Sequence, residues 1–556
     1  MFAGRFNEAG GAKKTMGTAQ GGYDYVIVGA GAAGCVLAYR LSEDPAVKVA
    51  LIEAGGSDRH PLYQVPKGVP LLMTRPASLW TYPTEPEDSN ANKTEYWLRG
   101  RVLGGSTSVN GLMWVRGQPA DFDAIAELSS DDWDWRHVGA AYAALERHEL
   151  GAGQDRGGSG PLRISLPGRD VRMRWHDAVI AAGRSMGLLV KEDVNQPDND
   201  QGVGYNPRTI WAGRRQSAAS AFLRPARKRP NLTVITHATA DRVLFDGART
   251  TGVLCHKRGR ELTVNGAEVI LCGGAMASPG ILERSGIGDP ERLGALGIDC
   301  VSAIPAVGAN MIEHRALLMQ WKLKDPRASY NRDHRGLRLL WTILRYLVTR
   351  KGPMGSATFD MGAWLKSRPD LNRPDTQFLI APHSLDFTNM GKTTEAFPGM
   401  SLVVYPLRPS STGSVHIASR DPEAIPQTIA NHRATDIDRQ AMIDGFRAAR
   451  TFAEQSPLAE MIEAETIPGP QYQSDEDVIA AYDQFATCGY HTVGTCRMGH
   501  DAASVVDPEL RVRGVEGLRV MDTSIMPVMP SGNTQGPTMA MAWRAADVVR
   551  RGRQGA

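Results

Sequence analysis

The stretch from Tyr23 to Glu53 constrains this chain most. An apolar strand, Tyr23-Asp-Tyr-Val-Ile-Val, runs into Gly29-Ala-Gly31-Ala32-Ala33-Gly34. A helix follows, then Val49-Ala-Leu-Ile, ending in Glu53. A strand, a tight glycine turn, a helix and a second apolar strand fold together as a βαβ unit. Each part has a physical job. Gly29 permits the sharp exit from the strand, and Gly31 lets the backbone approach a pyrophosphate on the positive end of a helix. Gly34 lets the helix pack closely on the strand. Glu53 lies about 20 residues past the glycines, where a carboxylate can accept bonds from ribose hydroxyls. The unit therefore reads as a dinucleotide-binding turn, and the motif suits FAD and NAD alike.

Composition narrows the remaining classes. With 556 residues the chain is long enough for two large cores. Its 63 basic and 60 acidic side chains leave a net charge of +3, which gives no electrostatic case for nucleic acid. The six cysteines form no Cys-x-x-Cys pair and sit beside apolar residues, so buried reduced thiols are expected. No His/Cys/carboxylate group has ligand spacing, so no metal is implied. Residues 1–22 lack the apolar run of a signal peptide and read as a flexible leader. No apolar stretch approaches the roughly 20 residues needed to span a bilayer. The expected location is cytoplasmic.

Along the chain, 57–92 reads as loop and 99–117 as a second glycine-rich block. Helical patterns cover 119–150, and Gly151 to Gly160 reads as a joint. Short β runs fill 231–273, and strand-like alternation returns at 401–430. Helices are expected over 436–465, 475–486 and 536–551. The segment 335–350 is strongly apolar with interspersed arginines. That pattern suits a membrane surface, but a helix packed over the substrate region is the preferred reading.

Four further blocks carry chemistry. Gly100-Arg-Val102-Leu-Gly-Gly105-Ser106-Thr-Ser-Val109-Asn110-Gly111 offers backbone amides and hydroxyls to a ring or phosphate. Gly274-Ala-Met-Ala-Ser278-Pro279-Gly280 to Gly288 is a strand–helix joint. Gly489-Tyr490-His491-Thr-Val-Gly494-Thr-Cys-Arg-Met-Gly499 sets one histidine among small residues. Asp522-Thr-Ser-Ile-Met-Pro527 leads into Ser531-Gly-Asn533-Thr534-Gln-Gly-Pro537-Thr538 and a last helix.

Together with the opening unit, these blocks resemble the glucose-methanol-choline (GMC) oxidoreductase family from about Tyr23 to Arg550. The resemblance implies an α/β fold. A Rossmann-like FAD-binding domain is assembled from discontinuous segments (23–160, 211–312 and 507–553). A substrate domain with an antiparallel sheet and helices is built from 161–210 and 313–506. It implies FAD rather than NAD, with contacts at Gly29, Gly31, Ala32, Ala33, Gly34, Glu53, Val102, Gly105, Ser106, Asn110, Gly111, Ala240, Asp522, Thr534 and Pro537. It also implies His491 as active-site base and Asn533 as its companion. The implied reaction oxidises a primary alcohol to an aldehyde, with hydride transfer to flavin N5 and electrons passed to oxygen or another acceptor.

The residue types suit that chemistry. A neutral imidazole accepts a hydroxyl proton, worth roughly 10²–10⁴-fold. Asn533 can donate a hydrogen bond to the developing alkoxide without competing for the proton. Val109 stands where some family members carry the histidine that attaches FAD, so noncovalent FAD is expected. Leu407 before Arg408-Pro409, together with His491, argues against a photodecarboxylase. The alternative from another class is a cyanohydrin-cleaving lyase on the same scaffold. Met, Trp and aliphatic residues over 311–364 favour an apolar, aromatic or polyether alcohol. His314 reads as an ordinary core histidine.

Overall fold

The computed structural model describes residues 22–554, apart from 73–74, 154–155, 390 and 392. The leader read at 1–22 thus lies, but for Gly22, outside the described residues.

Two sheets organise the chain. The first has seven strands. Five of them run parallel, in the order Leu232–Ile235, Val49–Ile52, Tyr23–Val28, the end of Arg260–Leu271, and Leu518–Val520. Val26 pairs with Ala50 on one side and Val269 on the other, and Val269 with Leu518. These strands are largely apolar because both faces are covered, with Asp24, Thr233, Glu268 and Arg519 as exceptions, and Val26, Val49 and Val269 are fully buried. The strand Arg260–Leu271 outruns the parallel sheet. Its first half pairs antiparallel with Arg249–Lys257, which in turn pairs with Ala238–Asp246. The short runs read in 231–273 are thus four strands, three of them longer than the apolar runs alone suggested.

The helix Ala32–Leu41 packs on the C-terminal helix Gln535–Gln554. Tyr39 stacks on Trp543, with ring centroids 6.1 Å apart, and Arg40 bonds Asp547 at 2.8 Å. The end of the chain therefore returns to the turn near its beginning.

The second sheet has eight strands. Along its main path the order is Ile462–Ile467, Arg315–Leu323, Gly399–Pro406, Thr376–Ala381, Met361–Leu365, Gly202–Tyr205 and Leu189–Val190. Ala486–Cys488 also pairs with the start of Arg315–Leu323. All pairings are antiparallel except the last two strands of the path. Helices Arg174–Ser185, Asp436–Ala453 and Asp475–Phe485 share its core, with Phe378 edge-on to Phe452.

Three readings of local structure change. The helix expected over 436–465 stops at Ala453, and after a turn at Leu458–Met461 the chain enters the strand Ile462–Ile467. Pro457 has no N–H and disfavours helix at the residue before it, while Ile-Glu-Ala-Glu-Thr-Ile alternates with a β period. The expected loop 57–92 holds short helical turns and the strand Leu79–Pro83, paired with Tyr96–Gly100. The apolar segment 335–350 does form a helix, Gly336–Thr349, but one lying on the surface with only Thr342 and Tyr346 buried.

Candidate active site

His491 sits at the seam between the two sheets. On one side the Gly489 amide bonds the His314 carbonyl at 2.7 Å, and Val493 pairs with Ile312. On the other, the amides of Cys496 and Met498 bond the carbonyls of Ser524 and Ile525 at 2.9 and 2.8 Å. The segment is thus strapped between the edge of the second sheet and the loop that follows Leu518–Val520. Tyr490 takes a positive φ of 63°, so the chain reverses just before the histidine.

Four groups line up through this seam. His314 Nε2 lies 3.0 Å from the Leu407 carbonyl oxygen, and His314 Nδ1 lies 2.9 Å from His491 Nδ1. His491 Nε2 lies 2.9 Å from Asn533 Nδ2. The proton positions follow from the ends of this chain. A carbonyl only accepts, so His314 carries its proton on Nε2. Its Nδ1 is then an acceptor when the ring is neutral, and His491 must donate from Nδ1. The Nε2 of His491 is left with a bare lone pair, facing the Asn533 amide donor.

Electrostatics keep that lone pair free. Burial, then the neighbouring His314, then Arg99 push His491 well below the ordinary histidine pKa. Burial likewise pushes His314 down to about 4. Tyr405 packs its ring against both, with centroids 4.8 Å from His314 and 5.8 Å from His491.

Glu313 holds the frame. Its Oε1 accepts the amides of His314 and His491 at 3.0 and 2.7 Å, and its Oε2 accepts the Thr492 hydroxyl at 2.6 Å. Arg99 stands 3.6 Å from Oε2 and donates to the Thr492 oxygen at 2.7 Å. Burial still raises the Glu313 pKa. This carboxylate is fully occupied within the protein.

The residues implicated as cofactor contacts fall into two groups. Gly29, Gly31, Ala32, Ala33, Gly34 and Glu53 form the turn at the tip of the first sheet. A Cβ on Gly29 would stand 2.4 Å from the Cys272 carbonyl oxygen, and one on Gly34 1.9 Å from that of Gly29. One on Gly31 would meet nothing within 4 Å, so this glycine leaves open space at a helix N-terminus. Glu53 accepts the amides of Ala30 and Gly55 at 2.9 and 2.8 Å, and burial pushes it up to about 7. Gly105 backs onto this turn, since its Cβ would lie 2.7 Å from Gly31 Cα. Val102 bridges to Gly56, and the Ser106 hydroxyl accepts the Gly100 amide. Ala240 lies on the strand Ala238–Asp246, at a register shift opposite Cys255.

The second group surrounds the N-terminus of the last helix. Asn110 accepts the Leu112 amide at 3.3 Å, a local turn bond, and also donates to Gln535 Oε1 and accepts from Arg215 Nη1 at 2.8 Å. The Gly111 carbonyl accepts the Thr358 amide. Thr534 caps with its carbonyl the Thr538 amide at 3.0 Å, and Pro537 lies in the first turn. Asp522 is already spent inside the protein. It accepts the Gly274 amide, the Ser278 hydroxyl and the Ser524 amide at 2.6–2.8 Å, stitching the 274–288 block to the 522 turn.

The site has polar atoms in want of a ligand. Asn533 Oδ1, Gln535 Nε2 and Arg215 Nε and Nη2 are buried with no hydrogen-bond partner. Arg215 is fully buried with no carboxylate beside it, and its pKa falls to about 9 for that reason alone. Open space at Gly31, a ribose-type acid at Glu53 and orphaned donors near Asn533 fit a large polar cofactor such as FAD. Sequence reasoning passed over His314, Glu313, Arg99, Tyr405, Arg215 and Gln535. A signal existed for two of them, because Glu313-His314-Arg315 opens an apolar strand, and charges entering a core need partners.

Comparison with known proteins agrees. Models of the GMC oxidoreductase N- and C-terminal parts match residues 23–316 and 409–542. An oxygen-dependent choline dehydrogenase of Chromohalobacter salexigens is 36% identical over 541 residues, covering 95% of each chain. The crystal structure of pyridoxine 4-oxidase from Mesorbium loti superposes with a TM-score of 0.85 at 30% identity, over 95% of this chain and 99% of that one. An Aspergillus oryzae formate oxidase variant gives 0.88 at 25% identity, over 97% and 100%. The chain belongs to the GMC oxidoreductases, FAD-dependent enzymes acting on CH–OH donors.

Proposed function

We propose that this enzyme oxidises a neutral primary alcohol to an aldehyde, with His491 as base. The observation that carries the reading is the chain Leu407–His314–His491–Asn533, which leaves His491 Nε2 bare. His491 takes the hydroxyl proton on Nε2, and the resulting imidazolium keeps its other proton on the bond to His314. Asn533 Nδ2 turns from the imidazole to the developing alkoxide. Bound FAD supplies the acceptor for the hydride, whose electrons pass on to oxygen or another acceptor. Glu53, the 29–34 turn and the 102–111 block would hold it, with Thr534 and Pro537 at the other end. Noncovalent binding is supported by Val109, an aliphatic side chain that offers no attachment chemistry. The strands of the first sheet come from the segments assigned to the FAD-binding domain, and those of the second from the substrate segments, which supports that division.

A neutral substrate is supported by Glu313. It is the carboxylate bonded to this cluster; three hydrogen bonds occupy it and the Arg99 charge offsets it, so no free anion stands there for a quaternary ammonium. The apolar group Met113, Val115, Trp364, Leu379, Tyr405 and Leu407 adjoins the histidines through Tyr405 and favours an aromatic or aliphatic alcohol. The test is anaerobic flavin bleaching against aryl-methanol, aliphatic, glycol and choline substrates. Rapid bleaching by aryl or aliphatic alcohols is expected. A preference for choline overturns the substrate assignment, and product formed over a flavin that stays oxidised overturns the oxidation. Parallel assays with oxygen and an artificial acceptor identify the electron sink.

A further inference from the structure

The helix Gly336–Thr349 presents a face that neither the fold nor the alcohol site uses. Leu337, Leu340, Trp341, Leu344, Leu347 and Val348 are 52–84% exposed. At about 100° per residue they fill one arc of roughly 120°. The opposite side is the one that is fixed. Thr342 and Tyr346 are buried, and the Tyr346 hydroxyl donates to the Gly213 carbonyl at 2.8 Å. Six large apolar side chains on one exposed face of one helix form the kind of patch that soluble surfaces avoid unless it meets a partner.

Charge identifies the partner. From 335 to 351 the chain carries Arg335, Arg338, Arg345, Arg350 and Lys351, and no acid. Of these, Arg345 alone has a carboxylate within ion-pair reach among the described residues, Asp170 at 3.6 Å. Arg338 and Arg345 each follow an exposed leucine and so lie along one edge of the apolar arc. There their stems can run beside the leucines while the guanidinium groups stay at the level of phosphate headgroups. The helix is about 21 Å long, short of the roughly 30 Å hydrocarbon thickness, and no helix among the described residues can cross a membrane. It suits lying in the interface plane. A second copy docking by two-fold symmetry would set five cations against five with no acid from either segment to relieve them, which disfavours a dimer through this face.

We propose that Gly336–Thr349 is an in-plane anchor that docks the enzyme on a bilayer surface rich in anionic lipid. The test uses the full-length, FAD-loaded protein and flotation with phosphatidylcholine vesicles, with and without phosphatidylglycerol. The protein is expected to float with the anionic vesicles and to be released by salt. The triple variant Leu340→Ser/Trp341→Ser/Leu344→Ser should lower partitioning by about a hundredfold. Arg338→Gln and Lys351→Gln should each lower it about fivefold. FAD content and turnover of a soluble alcohol should not change, since these side chains are exposed and none belongs to the site. No flotation, equal flotation on neutral vesicles, or flotation that survives the triple variant each overturns the proposal. So does self-association in sedimentation that the triple variant abolishes without vesicle binding, which would assign the face to a second copy.

Discussion

The turn from Gly29 to Glu53 and the cluster around His491 are built by opposite means. The turn is made from one continuous stretch and works through backbone: glycine contacts, amides and a helix N-terminus. The cluster is made from side chains of four distant segments, 313–314, 405–407, 491–492 and 533–535, and works through the order of its hydrogen bonds. Each contains a buried glutamate, and the two are treated differently. Glu53 has two amide donors and is pushed up to about 7. Glu313 has three hydrogen bonds plus Arg99 and is consumed as scaffold. The first acid keeps lone pairs for a ligand, and the second orients the base. The difference teaches that a binding turn needs shape, whereas a proton acceptor needs a fixed tautomer, and only a folded network supplies that.

The comparison can be broken at either end. The largest effect is expected at His491. His491→Ala should retain FAD and lose roughly 10³-fold in the rate of anaerobic flavin reduction by alcohol; a rate within a few-fold of wild type removes His491 from the chemistry. Next comes Gly34→Ala. Its Cβ would sit 1.9 Å from the Gly29 carbonyl oxygen, so the helix must move off the strand, at a cost of about 3 kcal/mol in chemical denaturation. His314→Ala should lower the limiting reduction rate by on the order of tenfold to a hundredfold with little change in KM. His314→Gln, whose amide oxygen can accept from His491 Nδ1, should recover part of it. A merely structural His314 would predict no such rescue. The smallest effect is at Gly31→Ala, where the Cβ meets no protein atom. Stability should stay within about 1 kcal/mol, while FAD affinity, read by titration of the apoprotein, should fall on the order of tenfold because the pyrophosphate needs that space.

What the sequence revealed follows the same division. The 23–53 unit was legible because each requirement is local: a turn, a close contact, an acid at a set spacing. His491 and Asn533 were legible only through resemblance, since nothing in a lone histidine beside glycine distinguishes base from filler. His314 is fully buried, as a core histidine should be, but the partner it finds there was not legible. Its meeting with His491, 177 residues on, depends on the sheet register that pairs Ile312 with Val493, which no local pattern encodes. Asn110 likewise gives no sign in the sequence of Gln535, which the last helix brings to it. The same limit explains the strand Ile462–Ile467, where a short amphipathic run was read as helix until its partner Arg315–Leu323 was known. For 335–350 the helix was legible, but its exposed face was not, because an apolar stripe looks alike whether it meets a core or a membrane.

The central claim is that the fold keeps His491 neutral, with Nε2 free to take a proton. The pH dependence of the anaerobic flavin-reduction rate tests it most directly. Burial lowers the His491 pKa below its ordinary 6.5, so the active neutral form persists above that value and is lost only as pH falls through the lowered one. The account predicts a rate that is flat from pH 8 down through 6.5, with its acidic limb clearly below that value and moving up in His314→Ala. A limb at or above pH 6.5 in the wild-type enzyme, unmoved by His314→Ala, would contradict it.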